Sequence, residues 1–289
     1  MKLEEFYKKN YKLLMLIPII VLIISLAFIS YNYMSKGELI NRDVTLKGGI
    51  SATIYTDKPA NIKELQNAIK VDSIVRTLTD FSTGKQVGVI IEVSDIKAEE
   101  LKSILESALN IKLTDQIYSV EETGAALGES FFKELIYTVL IAFLLMSIVV
   151  FITFRTFIPS IAVIFAALID ITIPLAIINF LGMKISSAGI VAFLLLIGYS
   201  VDTDILLTTR LLKRTDSPLF NRMYNAMKTG LTMTFCAISV MVIGIIFSTS
   251  PIFKEMFFII LLGLIVDIFS TWLTNSGILY LYCKKKNIQ

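Results

Sequence analysis

The chain has 289 residues, 55% of them hydrophobic and only 18% charged, with a mean hydropathy of +0.74 and a formal net charge of +3. This composition excludes a lone soluble globule, a disordered chain, a collagen and a disulfide-stapled scaffold, and the apolar surplus must lie in stretches of about 20 residues that cross a bilayer. There is no histidine, and the two cysteines, Cys236 and Cys283, fall in or beside apolar runs; no metal site, haem, redox CxxC or other cofactor is expected, and proton chemistry is left to carboxylates and lysines.

In chain order, the first apolar stretch is 13–33, preceded by Lys2, Lys8, Lys9 and Lys12. It outruns the 7–15 or so residues of a signal-peptide core and no small-residue cleavage pattern follows, so it reads as an uncleaved membrane anchor. A polar block comes next. Residues 49–56 alternate as a strand, and 59–70 place Ile62, Leu65, Ala68 and Ile69 on one helical face behind a capping Asn61. Residues 71–81 and 86–93 are β-branched runs joined by Ser82, Thr83, Gly84 and Lys85, a hairpin composition. Residues 96–110 are helical, with Leu101, Ile104, Leu105 and Ala108 facing inward, and 111–120 read as a last strand. The order βαββαβ is the ferredoxin-like split motif, with 39–46 as an added edge strand and Gly48 and Gly49 as a tight turn. The block shows no catalytic constellation, and no enzyme activity is expected of it.

Five further apolar stretches follow, at 135–154, 157–181, 185–209, 227–247 and 257–282. The predicted organisation is a cytoplasmic N-terminus with the first membrane helix (1–34), an external α+β domain (35–130), five more membrane helices (131–283) and a basic tail (284–289). Of the 15 Lys and Arg outside residues 34–134, 13 fall before span one, between spans two and three, between spans four and five, or at the C-terminus; only Lys184 and Lys254 lie in the opposite loops. That bias places both termini in the cytoplasm of a multi-pass cell-membrane protein and the polar block outside. The small positive charge follows from topology and gives no reason to expect nucleic acid as a partner.

Four acidic residues fall inside the spans: Asp170, Asp202, Asp204 and Asp267. A carboxylate at a helix centre costs about 2.5–3.5 kcal/mol on insertion scales, so these residues call for partners or a wet pathway. Asp202 and Asp204 are two apart and point about 200° away from each other, so they cannot share a helix face. Asp202, with Thr209 on its face, is the favoured polar-path residue, whereas Asp204 has the option of snorkelling toward Arg210. Asp267 reads first as a helix-packing residue. Lys228, at the start of span five, is the available cation for Asp202 or Asp204. Pro174 lies four residues beyond Asp170 and frees a carbonyl beside it.

The run Gly198, Tyr199, Ser200, Val201, Asp202, Thr203, Asp204, Ile205, Leu206, Leu207, then Arg210, resembles the fourth-span signature of the SecF family of protein-export subunits. The layout of one span, an external domain and five more spans is also similar to that family and to half of an RND-type transporter, and 124–155 and 226–234 fit its second-span and fifth-span starts. The chain departs from the bacterial pattern at Ile169, where a His precedes the Asp, at Lys228, where Arg is usual, and at Asp267, where a small residue is usual. These departures suggest an archaeal branch.

The resemblance implies a SecD-like six-span partner, a SecYEG-type channel beside the pair, a translocating polypeptide as substrate and the proton-motive force as the energy source. It makes Asp202, Asp204, Asp170 and Lys228 the proton-path candidates, with Asp267 and Arg210 behind them. The alternatives are an RND-type small-molecule or lipid exporter half, a structural scaffold and an intramembrane aspartyl protease. The exporter would want a larger external domain than the roughly 95 residues present, and the protease wants a second aspartate in a setting this chain lacks. Because Asp202 and Asp204 face apart, Asp202→Asn and Asp204→Asn are expected to differ in their effect on export, and equal, complete loss in both would remove the argument from helical phase.

Overall fold

A computed structural model of the chain describes residues 2–56, 62–69, 73–79, 85–94, 96–114, 116–213, 217–248 and 250–287. The first membrane helix is α1 (Lys2–Lys36). The polar block then forms α2 (Val44–Lys47), β1 (Gly49–Tyr55), α3 (Ile62–Ile69), β2 (Ser73–Thr79), β3 (Gln86–Val93), α4 (Ala98–Leu109) and β4 (Tyr118–Thr123). Four long helices follow: α5 (Ala125–Phe154), α6 (Phe157–Phe180), α7 (Ser187–Lys213) and α8 (Leu219–Phe247). The sixth span consists of α9 (Pro251–Phe269), a π-helical turn (Ser270–Asn275) and α10 (Ser276–Lys285). Among the described residues, six helices are therefore long and apolar enough to cross a membrane.

The helices outrun the apolar stretches. Helix α5 starts at Ala125 and α8 at Leu219, well before the apolar runs at 135 and 227. A bilayer leaves no water to satisfy backbone groups, so a spanning segment stays helical until its ends reach polar surroundings. Helices α6, α7 and the sixth span form the centre of the bundle, while the most apolar stretches of α5 and α8 are only 6% and 17% buried, leaving most of their surface to lipid or to another chain.

The sheet is antiparallel throughout, in the order β2-β3-β1-β4. Alternation along β1 and β3 sends Ile50, Ala52, Ile54, Val89, Ile91 and Val93 into one core, closed by Leu65 and Ile69 of α3 and Leu101 and Leu105 of α4. The predicted cap Asn61 and the hairpin residues Ser82, Thr83 and Gly84 lie outside the described residues. Two expectations fail. Residues 39–46 are not an edge strand, because Arg42 makes one isolated parallel bridge to Ile185 and Asp43 then caps the short helix α2. The last strand starts late: Asn110 ends α4 in the left-handed region at φ 50°, Glu106 accepts a bond from the Leu113 amide at 2.8 Å, and a turn closes on Thr114 before β4 begins.

The failed edge strand is instead a strap across the ends of the spans. The Ile185 amide donates to the Asn41 carbonyl at 2.7 Å, and the Asp43 amide donates to the Ile185 carbonyl at 3.1 Å. Asn179, at the end of α6, donates to the Leu39 carbonyl at 2.8 Å. Arg42 reaches Glu129 of α5 at 2.7 Å and lies over the Phe132 ring, 4.7 Å from its centroid. Where α2 meets α5 the backbones touch: a Cβ on Gly128 would stand 2.6 Å from the Gly48 nitrogen, and Gly48 itself has φ +85°. Gly48 thus has both a positive φ and a close approach to satisfy, beyond the tight turn read from sequence.

Asp43 holds this strap together. Its Oδ1 accepts from the Thr45 amide at 2.9 Å and from the Thr45 hydroxyl at 2.6 Å, and the Thr45 hydroxyl oxygen accepts from the Ser187 amide at 3.1 Å. Burial pushes the Asp43 carboxyl above its ordinary value, against the lowering effect of the Thr45 bonds, and burial likewise raises Glu92, against the lowering effect of Arg76. A raised carboxyl favours the folded state fully below the unfolded-state value of about 4, and this contribution is lost as pH rises through the folded-state value. The thermal midpoint of the detergent-solubilised protein is therefore expected to fall as pH climbs from about 4 toward neutrality. Asp43→Asn should make that fall shallower, and an unchanged slope would remove Asp43 from the account.

Candidate functional site

At mid-depth in the bundle, Asp170 of α6, Asp204 of α7 and Asp267 of α9 converge, each at most 1% exposed. The sequence makes this possible by placing small hydroxyl residues on the facing helices. Asp170 accepts bonds from the hydroxyls of Ser200 on α7 and Ser270 on the π turn. Asp267 accepts from the Thr203 hydroxyl at 3.1 Å and from the Thr271 hydroxyl at 3.0 Å. Asp204 Oδ1 accepts from Thr271 at 2.9 Å and from Asn275 Nδ2 at 2.6 Å, while Asp204 Oδ2 is buried with no partner among the described residues.

The π turn is what lets one span serve all three carboxylates. In it the Ser276 amide donates to the Thr271 carbonyl, five residues back rather than four. Ser270, Thr271 and Asn275 then all turn into the bundle, where each is fully buried. Such bulges recur at functional sites. On its other side the sixth span meets α8 through glycine: a Cβ on Gly230 would collide with the Trp272 ring, so the two helices pack at the closest approach their side chains allow.

Helical phase separates Asp202 from Asp204 as the sequence requires, but the assignment of faces is the reverse of the one favoured there. Asp204 points to the bundle centre, and Asp202 is exposed on the outer face of α7. Lys228 does not reach either aspartate; it is exposed, with its ammonium 4.6 Å from the Tyr224 ring centroid. Arg210, half-buried near the end of α7, makes no salt bridge with Asp204 among the described residues. Asp267, ranked low from sequence, is a full member of the cluster, because α6 and α7 both pack on α9. Helix α6 runs through Pro174 without ending.

No salt bridge among the described residues touches Asp170, Asp204 or Asp267. Several carboxylates without a countercharge can be buried together only if they bind protons or a small cation, since isolated buried charge is too costly. Burial of the three together therefore calls for protonation or a small cation, and Asp204 Oδ2 is the oxygen left without a partner among the described residues.

The profile of the protein export membrane protein SecD/SecF C-terminal family matches residues 103–285. The chain is 36% identical over 280 residues to the protein-export membrane protein SecF of Methanocaldococcus jannaschii, covering 95% of this chain and 96% of that one. It is 33% identical over 288 residues to the SecF of Pyrococcus furiosus, covering 99% and 95%. The chain belongs to the SecF family of protein-export membrane proteins. The SecF fold is also seen in the crystal structure of SecDF, a translocon-associated membrane protein from Thermus thermophilus, with a TM-score of 0.73 at 16% identity. That match covers 96% of this chain but 38% of the SecDF chain, so a SecF-sized unit is well under half of that molecule.

Thr271 bridges Asp204 and Asp267 with one hydroxyl. Thr271→Val keeps its shape and leaves both carboxylates short of a donor, which should destabilise the solubilised protein by about 1–3 kcal/mol. Thermal denaturation in detergent checks this, with Thr271→Ser expected to stay near the parent value.

Proposed function

We propose that this chain is the SecF-type half of a two-part export device in the cytoplasmic membrane. It pairs with a SecD-like six-span protein beside a SecYEG-type channel and helps to draw polypeptides outward using the proton-motive force. The observation that carries the reading is the buried Asp170, Asp204 and Asp267 cluster, cushioned by five hydroxyl or amide side chains and lacking a countercharge among the described residues. Family membership supports the export role. The pairing is supported by the likeness to SecDF, a longer chain in which a unit of this fold is only one part.

In this mechanism protons enter and leave the aspartate cluster, with Asp204 Oδ2 as the first acceptor. Each change in charge alters which hydroxyls the carboxylates hold, and the π turn gives the sixth span a place to shift register against α6 and α7. The strap at 39–46, bonded to the α6–α7 connection and to α5, carries that movement to the ferredoxin-like domain. The basic-residue bias supports placing that domain outside and both termini in the cytoplasm. The outer domain holds and releases the emerging polypeptide. Asp202, exposed on α7, lies at the surface where the SecD-like partner packs, as titratable groups do between the halves of such transporters.

The test is export of a secreted reporter, followed by pulse-chase in cells whose only SecF is the variant. Asp170→Asn, Asp204→Asn and Asp267→Asn are each expected to slow export by about tenfold or more, equivalent to about 1.4 kcal/mol in the limiting barrier, at normal membrane abundance. Asp202→Asn should instead reduce recovery of the SecD-like partner on affinity purification. Parental export rates in all three cluster variants would overturn the assignment.

A further inference from the structure

The three buried aspartates meet different surroundings on their two sides. Toward the outer domain, α7 and α9 fill the space between them with Phe193, Leu196, Ile259, Ile260 and Leu264, all buried. The seal is tight, since a Cβ on Gly263 would collide with the Leu196 side chain. Toward the opposite end of the bundle, where the Tyr7 and Tyr280 rings bring the two ends of the chain within 5.7 Å of each other, buried polar side chains continue instead. On the sixth span Ser270, Thr271, Thr274, Asn275 and Ser276 are each at most 1% exposed, and Thr208 of α7 is fully buried one turn beyond Asp204. At the far end the Tyr7 hydroxyl lies 3.1 Å from Ser276 Oγ.

Three oxygens in this half of the bundle have no partner among the described residues: Asp204 Oδ2, Thr208 Oγ1 and Asn275 Oδ1. Asp204 and Thr208 are four residues apart and share a face of α7. Asn275 Nδ2 holds Asp204 Oδ1 at 2.6 Å, which keeps the other atom of its amide beside the same carboxyl. A buried polar atom left unbonded is costly, and three such oxygens match the roughly three bonds that an ordered buried water makes. A water at this place suits both charge states of the aspartate. With Asp204 ionised, it donates to Oδ2 and to Asn275 Oδ1 and accepts from the Thr208 hydroxyl. With Asp204 protonated, the acid donates to the water, which donates in turn to Asn275 Oδ1 and Thr208 Oγ1.

We propose that Thr208 and Asn275 hold a water against Asp204 and so connect the aspartate cluster to the end of the bundle that carries the termini, with Thr208 as a positioning residue of the proton path. The inference rests on the proton-coupled reading above and names the side from which the cluster is served. A proton leaving Asp204 passes to the water, which releases one of its own protons onward along the polar side of the sixth span, toward Ser276 and Tyr7. The carboxylate is left charged with the water still bonded to it, and uptake runs the same steps in reverse. On the other side the apolar layer of Phe193, Leu196 and Leu264 offers no acceptor. In the proposed topology this arrangement of the helices therefore trades protons with the cytoplasm, and exchange with the outside needs the helices to shift.

The full chain in detergent at neutral pH, transferred from H2O to D2O and followed by time-resolved infrared spectroscopy, should show the carboxylic-acid C=O stretch of the buried aspartates moving to lower frequency as their protons exchange. Part of that band should be missing in Asp204→Asn. Thr208→Val, which keeps the shape and removes the hydroxyl, should slow the exchange by at least about tenfold, while Thr208→Ser should keep the parent rate. Thr208→Val should also lower the thermal midpoint, because it leaves a buried water short of a bond; a hydroxyl that was merely orphaned would make the valine variant the more stable one. An unchanged exchange rate or a raised midpoint in Thr208→Val would overturn the proposal and leave the protonated cluster standing. A parent protein without any carboxylic-acid band would overturn the proton-coupled reading, and this proposal with it.

Discussion

Burying three carboxylates together inside an apolar helix bundle is the constraint on which the rest of this molecule depends. The cost is a few kcal/mol per group even on lenient scales, and the sequence answers it with hydroxyl and amide donors rather than with a cation. Ser200 and Thr203 from α7, and Ser270, Thr271 and Asn275 from the sixth span, surround the three aspartates. Those donors can sit at one depth only because the helices come close. Leu196 of α7 lies against Gly263 and Trp272 against Gly230, positions where even a methyl group would collide. Polar satisfaction and tight helix packing are thus one requirement seen from two sides.

The choice of neutral donors has a mechanistic meaning. A lysine or arginine in the cluster would hold a carboxylate permanently charged, whereas a hydroxyl can donate to a carboxylate and accept from a carboxylic acid with only a rotation. A ring of Ser and Thr therefore tolerates either protonation state with little rearrangement of the backbone. In the proposed mechanism the larger movement falls to the π turn, an irregularity of the kind found at functional sites.

The spans were legible because apolar length is a one-dimensional property, and the four intramembrane aspartates were legible for the same reason. Sequence spacing also required Asp202 and Asp204 to diverge. It did not say which of them faced inward, since that depends on which neighbours a helix acquires. Asp267 was undervalued for a related reason: its worth comes from Asp170 and Asp204 on other helices, nearly 100 and more than 60 residues away along the chain. The π turn has no marker in a run such as Ser-Thr-Trp-Leu-Thr-Asn, although three hydroxyl residues and an amide within six positions of an apolar span were a signal that polar partners lay nearby. Residues 39–46 read as an added edge strand, but Asp43 caps α2 with its own side chain and the single bridge to Ile185 leaves no ladder to join.

Asp202 has a consequence for the life of the chain outside its complex. A carboxylate on the outer face of α7 is shielded when another membrane protein covers it and meets acyl chains when none does. An orphaned copy therefore carries a standing destabilisation of about 2.5–3.5 kcal/mol in the bilayer, enough to change a population by a hundredfold. Solitary copies would tilt, thin the membrane locally or slip out of register to wet that one group, and so present themselves differently to membrane proteases. Under the proposed pairing, the residue that would face the partner also penalises an unassembled chain, which would tie the amount of this protein to that of its partner.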